Sequence, residues 1–388
     1  MVKQPQEHCS GCGVCSVICP KGAILMQEQN GGFIYPSVNY STCINCNLCN
    51  KICPENALPD FHLPKAAFAA IAKDKTALSS CASGGIATTF GKIVLKRGGV
   101  VYGCSQNNYR SIKHIRVTHE DELQLLKGSK YVQSDLLDVY AEIKQDIATG
   151  RPILFIGTPC QIQALKSYLQ KPYLNLYTVD LVCHGVPSLA MLKDSIEKKG
   201  FIDNDISVNF RWKTDSSVQY GMQLIRNNQI LMTEPASRNA YMTAFLAGLS
   251  FRENCHYCRY SCVSRVGDIT IGDFWGLENT SSTQLNHVVG VSLVLVNNEH
   301  KGEELWNLSK TLLTFESHTI EEAMKDNWNL HDPFPRPEKK EEFLETFSRQ
   351  GIIQAAKRCV PRFRRETSDT WQFINRAVKW VTRVIKRF

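Results

Sequence analysis

ILFIGTPCQIQALKSYLQKPYLNLYTVDLVC, residues 153 to 183, reads as strand, helix, strand. The flanking runs ILFIG and LYTVDLVC are short and apolar, whereas QIQALKSYL between them has helical spacing. Cys160 stands just beyond the first run and Cys183 closes the second. Open α/β sheets place their chemistry at the carboxyl ends of their strands. If these two strands are parallel neighbours, both thiols leave the same edge of the sheet.

Working outward, further strand-like runs begin at 100 (VVYGC), 268 (DITIG) and 288 (VVGVSLVLV). Helical periodicity covers 86–97, 134–149, 160–169, 188–199 and 299–309, with Ser134 as a cap and Gly150 as a stop. The expected fold class is α/β, a mixed sheet at least partly parallel. The Pro-marked stretch ALPDFHLPK, 57–65, separates this body from a cysteine-rich start. Three segments follow: residues 1–60, a body over 61–338, and a basic helical tail over 339–388.

The chain has 16 cysteines, and its start, MVKQPQEHCSGC, meets cysteines before any apolar run. The longest apolar span, VVGVSLVLV, is far short of a bilayer, so a cytoplasmic location is expected. Thiols stay reduced there, which favours metal ligation over disulfides. Residues 9–20, CSGCGVCSVICP, and 43–54, CINCNLCNKICP, are two copies of C-x2-C-x2-C-x3-C-P. In this bacterial ferredoxin pattern three cysteines of one run and the last of the other share a cluster. Cys9, Cys12, Cys15 and Cys53 are thus expected to hold one 4Fe-4S cluster, and Cys43, Cys46, Cys49 and Cys19 a second. Zinc sites would show two C-x2-C knuckles per metal instead.

CHYCRYSC, residues 255–262, adds Cys255, Cys258 and Cys262. A third cluster then has two possible ligand sets. Cys160 and Cys183 join Cys255 and Cys258, or Cys262 takes the place of Cys160 in a local chelate. Cys81, Cys104 and Cys359 have no partner at useful spacing and read as ordinary small residues.

The formal charge of +8 is concentrated in 355–388, where ten Lys or Arg face only Glu366 and Asp369. The rest of the chain is neutral, which excludes a general nucleic-acid-binding surface. Within the tail, Trp371, Ile374, Val378, Val381, Ile385 and Phe388 share one helical face, and Arg376, Lys379, Arg383 and Arg387 lie mainly off it. Such an amphipathic helix suits an anionic membrane surface, as peripheral contact, or packing against the body or a partner.

SGGI (83–86), KGSKYVQS (127–134), GTPCQIQAL (157–165), DLVCHGVPS (180–188), FRWK (210–213) and CHYC…RVGDITIGDFWG (255–276) resemble, in this order, the blocks of the coenzyme F-420 (deazaflavin) hydrogenase/dehydrogenase beta-subunit family. That family includes 7-hydroxymethyl chlorophyll a reductase, and the resemblance spans about 66–310. It implies Cys160 as the fourth ligand of the third cluster, with Cys262 an extra, and FAD beside that cluster. Ser83, Gly84 and Gly85 would open a helix whose first amides take a diphosphate, or form a plain cap. Lys127, Ser129, Lys130 and Tyr131 would meet phosphate or the flavin ring, or form a solvated turn. Gly157 and Thr158 would offer backbone amides to the ring, and Asp273 and Trp275 would line its other face. His184 would transfer a proton or be a satisfied core histidine. The implied function is an iron–sulfur flavoprotein oxidoreductase. It would pass electrons between a ferredoxin or other low-potential partner, three 4Fe-4S clusters and FAD, acting on a deazaflavin or another small organic substrate. The alternative is a relay subunit with no substrate of its own.

Overall fold

The computed structural model describes residues 7–361 and 363, apart from Ser216, 280–284 and 286–289. The two cysteine repeats fold alike. Each opens with left-handed residues at matching places, Gly11 and Gly13 in the first, Asn45 and Asn47 in the second. Gly and Asn are the residues that tolerate this conformation. Each repeat then makes one helical turn, α1 (Val14–Val17) and α2 (Leu48–Lys51). Between them, β1 (Ile24–Glu28) pairs antiparallel with β2 (Ile34–Val38), Ile24 opposite Val38.

The body begins with β3 (Ala66–Ala72), the short α3 (Lys75–Ser79), α4 (Ile86–Lys96), β4 (Val100–Asn108) and β5 (Ser111–Val117). Next come α5 (Val139–Ala148), β6 (Ile153–Gly157), α6 (Pro159–Leu169), β7 (Leu176–Leu181) and α7 (Leu189–Glu197). A second small sheet follows, made of β8 (Ser207–Lys213), β9 (Val218–Arg226) and β10 (Gln229–Pro235), then α8 (Ala240–Leu246). The chain returns to the main sheet with β11 (Ile269–Asp273), β12 (Ser292–Val296), α9 (Lys301–Ser309), β13 (Leu313–His318) and α10 (Ile320–Lys325).

The main sheet has the order β13-β3-β12-β11-β7-β6-β4-β5. Its centre, β11, β7, β6 and β4, is parallel, and its flanks pair antiparallel. A mixed α/β sheet is therefore observed. Ile153, Leu154 and Phe155 on β6 and Leu293, Val294 and Leu295 on β12 are all buried, because helices or loops cover both faces. That is why these strands are continuous apolar runs rather than alternating ones. Direct pairing of β6 with β7 puts Cys160 and Cys183 at one sheet edge.

One expected element starts elsewhere. The helix anticipated from Ser134 begins at Val139. Asp135 instead pairs with Lys113 in an isolated bridge, its carbonyl accepting from the His114 amide. The Ser134 hydroxyl meets His114 Nδ1 at 3.1 Å and accepts from Gln161 Nε2 at 2.9 Å.

Residues 340–359, inside the segment read as a tail, form α11 (Lys340–Gln350) and α12 (Ile352–Cys359). Phe343, Ile352, Ala355 and Cys359 are buried in one core with Phe33, Tyr35, Phe210 and Tyr241. The amphipathic stretch 371–388 lies outside the described residues. Among the described residues no helix is long and apolar enough to cross a membrane.

Candidate functional site: three cysteine sets and a cationic crevice

The first repeat folds so that Cys9, Cys12, Cys15 and Cys53 rim one hollow, closed by Gly11, Gly13, Met26 and Pro54. Cys19, Cys43, Cys46 and Cys49 rim a second, with Pro20, Ile44 and Leu48. Each hollow takes three thiols from one repeat and the last thiol of the other. The second is the outer one: Cys46 is exposed, as are the neighbouring Tyr40, Ile44 and Leu48. The first faces the body. Tyr140 on α5 donates to the Cys12 carbonyl at 2.9 Å, and Gln133 donates to that of Ser10 at 3.1 Å.

The third set is built from three places. Cys160 sits in the first turn of α6, after Thr158, which caps the helix and meets the Cys160 thiol at 3.1 Å. Cys183 lies two residues past β7, and Cys255 and Cys258 come from the loop before β11. These four thiols act electrostatically on one another. Burial pushes Cys160 well above the ordinary thiol range, and negative charge on Cys258, Cys183 and Cys255 would push it further. Burial likewise lifts Cys183 to about 12 and Cys255 to about 11, again reinforced by neighbouring thiols.

Cys262 is not part of this group. Its thiol donates to the Ser264 carbonyl at 3.2 Å, and the charges that act on it are Arg265 and Asp180. The turn that removes it is held by Arg265, one of the largest fully buried side chains among the described residues. Arg265 donates to Tyr260 O (2.9 Å), Cys262 O (3.2 Å), Leu181 O (3.0 Å) and Asp180 Oδ1 (2.9 Å). Asp180, the fifth residue of β7, also accepts from the Gly267 amide at 2.8 Å and from Thr270 Oγ1 at 2.7 Å. One buried ion pair therefore fixes the 255–262 loop to β7, the strand that leads into Cys183.

The inner hollow and the third set are close enough to share side chains. Tyr140 is deeply buried, and its phenol is held well above its usual range, first by burial and then by charge on Cys12, Cys160 and Cys15. Tyr260, similarly raised by burial, responds to Glu55, Cys160 and Cys258. Cys12, Cys160 and Cys258 all pack against the core that contains both tyrosines.

At the same carboxyl edge of the sheet, the 78–85 loop, β8 and the end of β11 bring together a cluster of charged and polar side chains. Arg211 donates to both Asp273 oxygens, at 2.8 and 3.2 Å, and to the Tyr220 hydroxyl at 3.0 Å. It is only 8% exposed, and its Nε has no partner. Lys213, two residues along the same strand, donates to Leu78 O (2.7 Å) and Ser83 O (2.9 Å), and burial brings its ammonium down to about 8. Lys130 donates to Leu126 O and Lys127 O and is likewise lowered to about 8 by burial. Ser83 Oγ is buried without a partner. Asp273 pairs with Arg211, whereas the bonds of Lys213 go to two backbone carbonyls, which leaves its ammonium able to attract an anion.

Several anticipated contacts look different in the structure. The Gly84 amide donates to Ser292 Oγ at 3.0 Å, and a Cβ there would lie 2.3 Å from the Ala70 carbonyl. Packing against β3 and β12 thus accounts for that glycine, while Gly85, at φ +80°, caps α4. The Thr158 amide is taken by Gln161 Oε1 at 2.9 Å. Gly157 packs against Phe155 and Gln161. Lys127 donates to Ser80 Oγ at 2.8 Å. Ser129 and Arg211 both act on the buried Tyr131 hydroxyl. Trp275 is 44% exposed, its ring 6.4 Å from that of Tyr220. His184 bonds to Asn329 Oδ1 at 3.0 Å and sits among Phe245, Phe251 and Phe334, where burial lowers its pKa. Sequence reasoning gave no role to Arg211, Lys213 or Tyr220, although the first two lie within the FRWK block. Asn227-Asn228, both at positive φ, was the available sign of the β9–β10 hairpin.

The residues fit iron–sulfur clusters. Thiols rim hollows, and buried thiols with raised pKa need a cationic centre to lose their protons. Among the described residues no group of three or more His, Cys, Asp or Glu closes on a position for a single metal ion.

Known proteins agree at the level of domains. Residues 8–57 match the model of a 4Fe-4S dicluster domain, and 150–322 match that of the C terminus of the coenzyme F420 hydrogenase/dehydrogenase beta subunit. The first span contains Cys9 to Cys53, and the second contains Cys160, Cys183, Cys255 and Cys258. No curated protein matches. A chain from a structure of the F420-reducing [NiFe] hydrogenase complex of Methanosarcina barkeri aligns at 18% identity with a TM-score of 0.46, covering 78% of this chain and 94% of that one. The chain thus joins a 4Fe-4S dicluster domain to the C-terminal domain of the coenzyme F420 hydrogenase/dehydrogenase beta-subunit family.

Proposed function

We propose that the chain is an iron–sulfur flavoprotein oxidoreductase subunit whose three cysteine sets connect an outside redox partner to a flavin held near Arg211 and Lys213. The observation that carries this reading is the gathering of Cys160, Cys183, Cys255 and Cys258 beside the inner ferredoxin-type hollow. Bound 4Fe-4S clusters would supply one-electron carriers, and a bound flavin would join them to two-electron chemistry.

Each part of the protein has a task in this reading. Cys9, Cys12, Cys15 and Cys53 hold the inner ferredoxin cluster, and Cys19, Cys43, Cys46 and Cys49 the outer. Cys160, Cys183, Cys255 and Cys258 hold the third. Tyr140 and Tyr260 fill the space between the inner and third sets and exclude water from it. The exposed ring of Tyr40, Ile44 and Leu48 around Cys46 is where a low-potential partner such as ferredoxin docks. Lys213 and Arg211 would hold the anionic groups of FAD, with Ser83 Oγ as a further donor. Asp273 keeps Arg211 oriented. The substrate is a deazaflavin or another small organic acceptor.

A relay subunit without its own substrate is the second reading. What favours it is the pair of family matches, which concern cluster-bearing and subunit domains and name no substrate site in this chain. Anaerobic purification followed by turnover with reduced ferredoxin or viologen and a deazaflavin, without NADH, separates the two. Acid release of about one FAD per chain and substrate-dependent oxidation of the donor support the enzyme. Clusters without flavin, or with FMN, support the relay or a different cofactor.

A further inference from the structure

Arg252 is fully buried, yet it stands three residues before Cys255 and reaches across to the first repeat. Its Nε donates to the Cys9 carbonyl at 2.7 Å, and one terminal nitrogen to the Ile34 carbonyl at 2.8 Å. That same nitrogen lies 3.9 Å from Cys9 Sγ, and the other donates to Gln133 Oε1 at 3.0 Å. The guanidinium is stacked 4.1 Å from the Tyr35 ring centre. It also leaves no room at Gly11, where a Cβ would lie 2.7 Å from its Cζ. Its backbone carbonyl accepts from the Cys255 amide at 3.0 Å, which ties it to the third set as well. No carboxylate takes part in any of these bonds. A second buried cation, Lys340 on α11, donates to the Leu249 and Phe251 carbonyls, the latter in the residue just before Arg252.

We propose that Arg252 is a positioning residue shared by two cysteine sets. It seats the dicluster domain so that the Cys9 set, and not the Cys19 set, adjoins Cys255. It also places one fixed positive charge between the inner and third clusters. This rests on the cluster assignment above. A buried cation beside thiolate ligands favours the reduced, more negative form of a cluster, and in a low-dielectric interior that effect is weakly screened. Both neighbouring clusters are therefore held at higher potential than they would otherwise have, and the outer cluster is not.

The test is an anaerobic redox titration followed by EPR on the full chain. Signals are assigned by difference against Cys19→Ala and Cys160→Ala proteins. In Arg252→Met the midpoint potentials of the inner and third clusters fall, each by about tenfold in the reduction equilibrium, or about 59 mV for one electron. The outer cluster is unchanged. Arg252→Lys keeps the charge and restores the potentials even though the fork to Cys9 and Ile34 is lost. Lys340→Met lowers the third cluster alone and remains informative if Arg252→Met does not load. Unshifted potentials in a fully loaded Arg252→Met protein, or equal shifts in all three clusters, overturn the proposal while leaving the cluster assignment standing. A wild-type chain lacking the third signal overturns the assignment itself.

Discussion

Replacing Asp180 with Asn leaves Arg265 buried without its counter-charge at the point where the 255–262 loop meets β7. Both side chains are almost wholly inaccessible, at 1% and 0% exposure, so solvent does not replace the lost carboxylate. The carboxylate accepts bonds from Arg265, from the Gly267 amide and from Thr270 Oγ1, and an amide has only one acceptor oxygen for all of these. Breaking a buried pair by removing one partner costs about 3–5 kcal/mol. That is a large share of the roughly 5–15 kcal/mol that stabilises a typical protein. For a chain of this size it lowers the thermal midpoint by about 5 °C. The loss is local, so the third cysteine set suffers first. Anaerobic thermal unfolding by circular dichroism, with iron analysis of the same sample, should show a lowered midpoint and about four fewer irons per chain, since a cubane holds four. A variant with full iron and a midpoint within about 2 °C of wild type would refute the idea that this pair fixes the loop.

Three further outcomes are expected. FAD affinity should fall as pH rises through about 8, because Lys213 titrates there and only its protonated form attracts an anion. Fluorescence titration with FAD between pH 7 and 10 shows this, and Lys213→Met weakens binding at pH 7 and flattens the profile. Tyr140→Phe keeps the buried ring but removes its bond to the Cys12 carbonyl, costing about 1–3 kcal/mol at a buried acceptor with unchanged iron. Loss of the inner cluster's EPR signal in that variant would contradict the packing role. For the tail, a chain ending at Val360 keeps the buried α12, and flotation with anionic liposomes should show weaker, less salt-sensitive binding than the full chain. Equal partitioning of the two would remove the membrane reading.

Most of the scaffold was legible because its central strands are covered on both faces and therefore stand out as unbroken apolar runs. Strand, helix, strand made the parallel pairing of β6 with β7 a condition for bringing Cys160 and Cys183 to one edge, and the structure shows that pairing. The ferredoxin hollows were legible because cysteine spacing encodes geometry directly. Ser134 misled because a cap is a local signal, whereas this hydroxyl is claimed by His114 and Gln161, which are distant in sequence. Arg211, Arg252 and Arg265 were illegible for another reason. In a sequence a buried arginine looks like a surface one, and only the fold reveals that Asp273, the Cys9 carbonyl and Asp180 meet them. Spacing alone left Cys262 open and the resemblance made it an extra, while the structure adds that its thiol turns to the Ser264 carbonyl.

The central claim is that three cysteine sets, the third being Cys160, Cys183, Cys255 and Cys258, each hold a 4Fe-4S cluster. Iron and acid-labile sulfide, measured anaerobically in wild-type, Cys160→Ala and Cys262→Ala proteins, test it most directly. The account predicts about twelve irons per chain in the wild type, about eight in Cys160→Ala and about twelve in Cys262→Ala, at four per cubane. About eight in the wild type, or loss of iron in Cys262→Ala with Cys160→Ala intact, would contradict it.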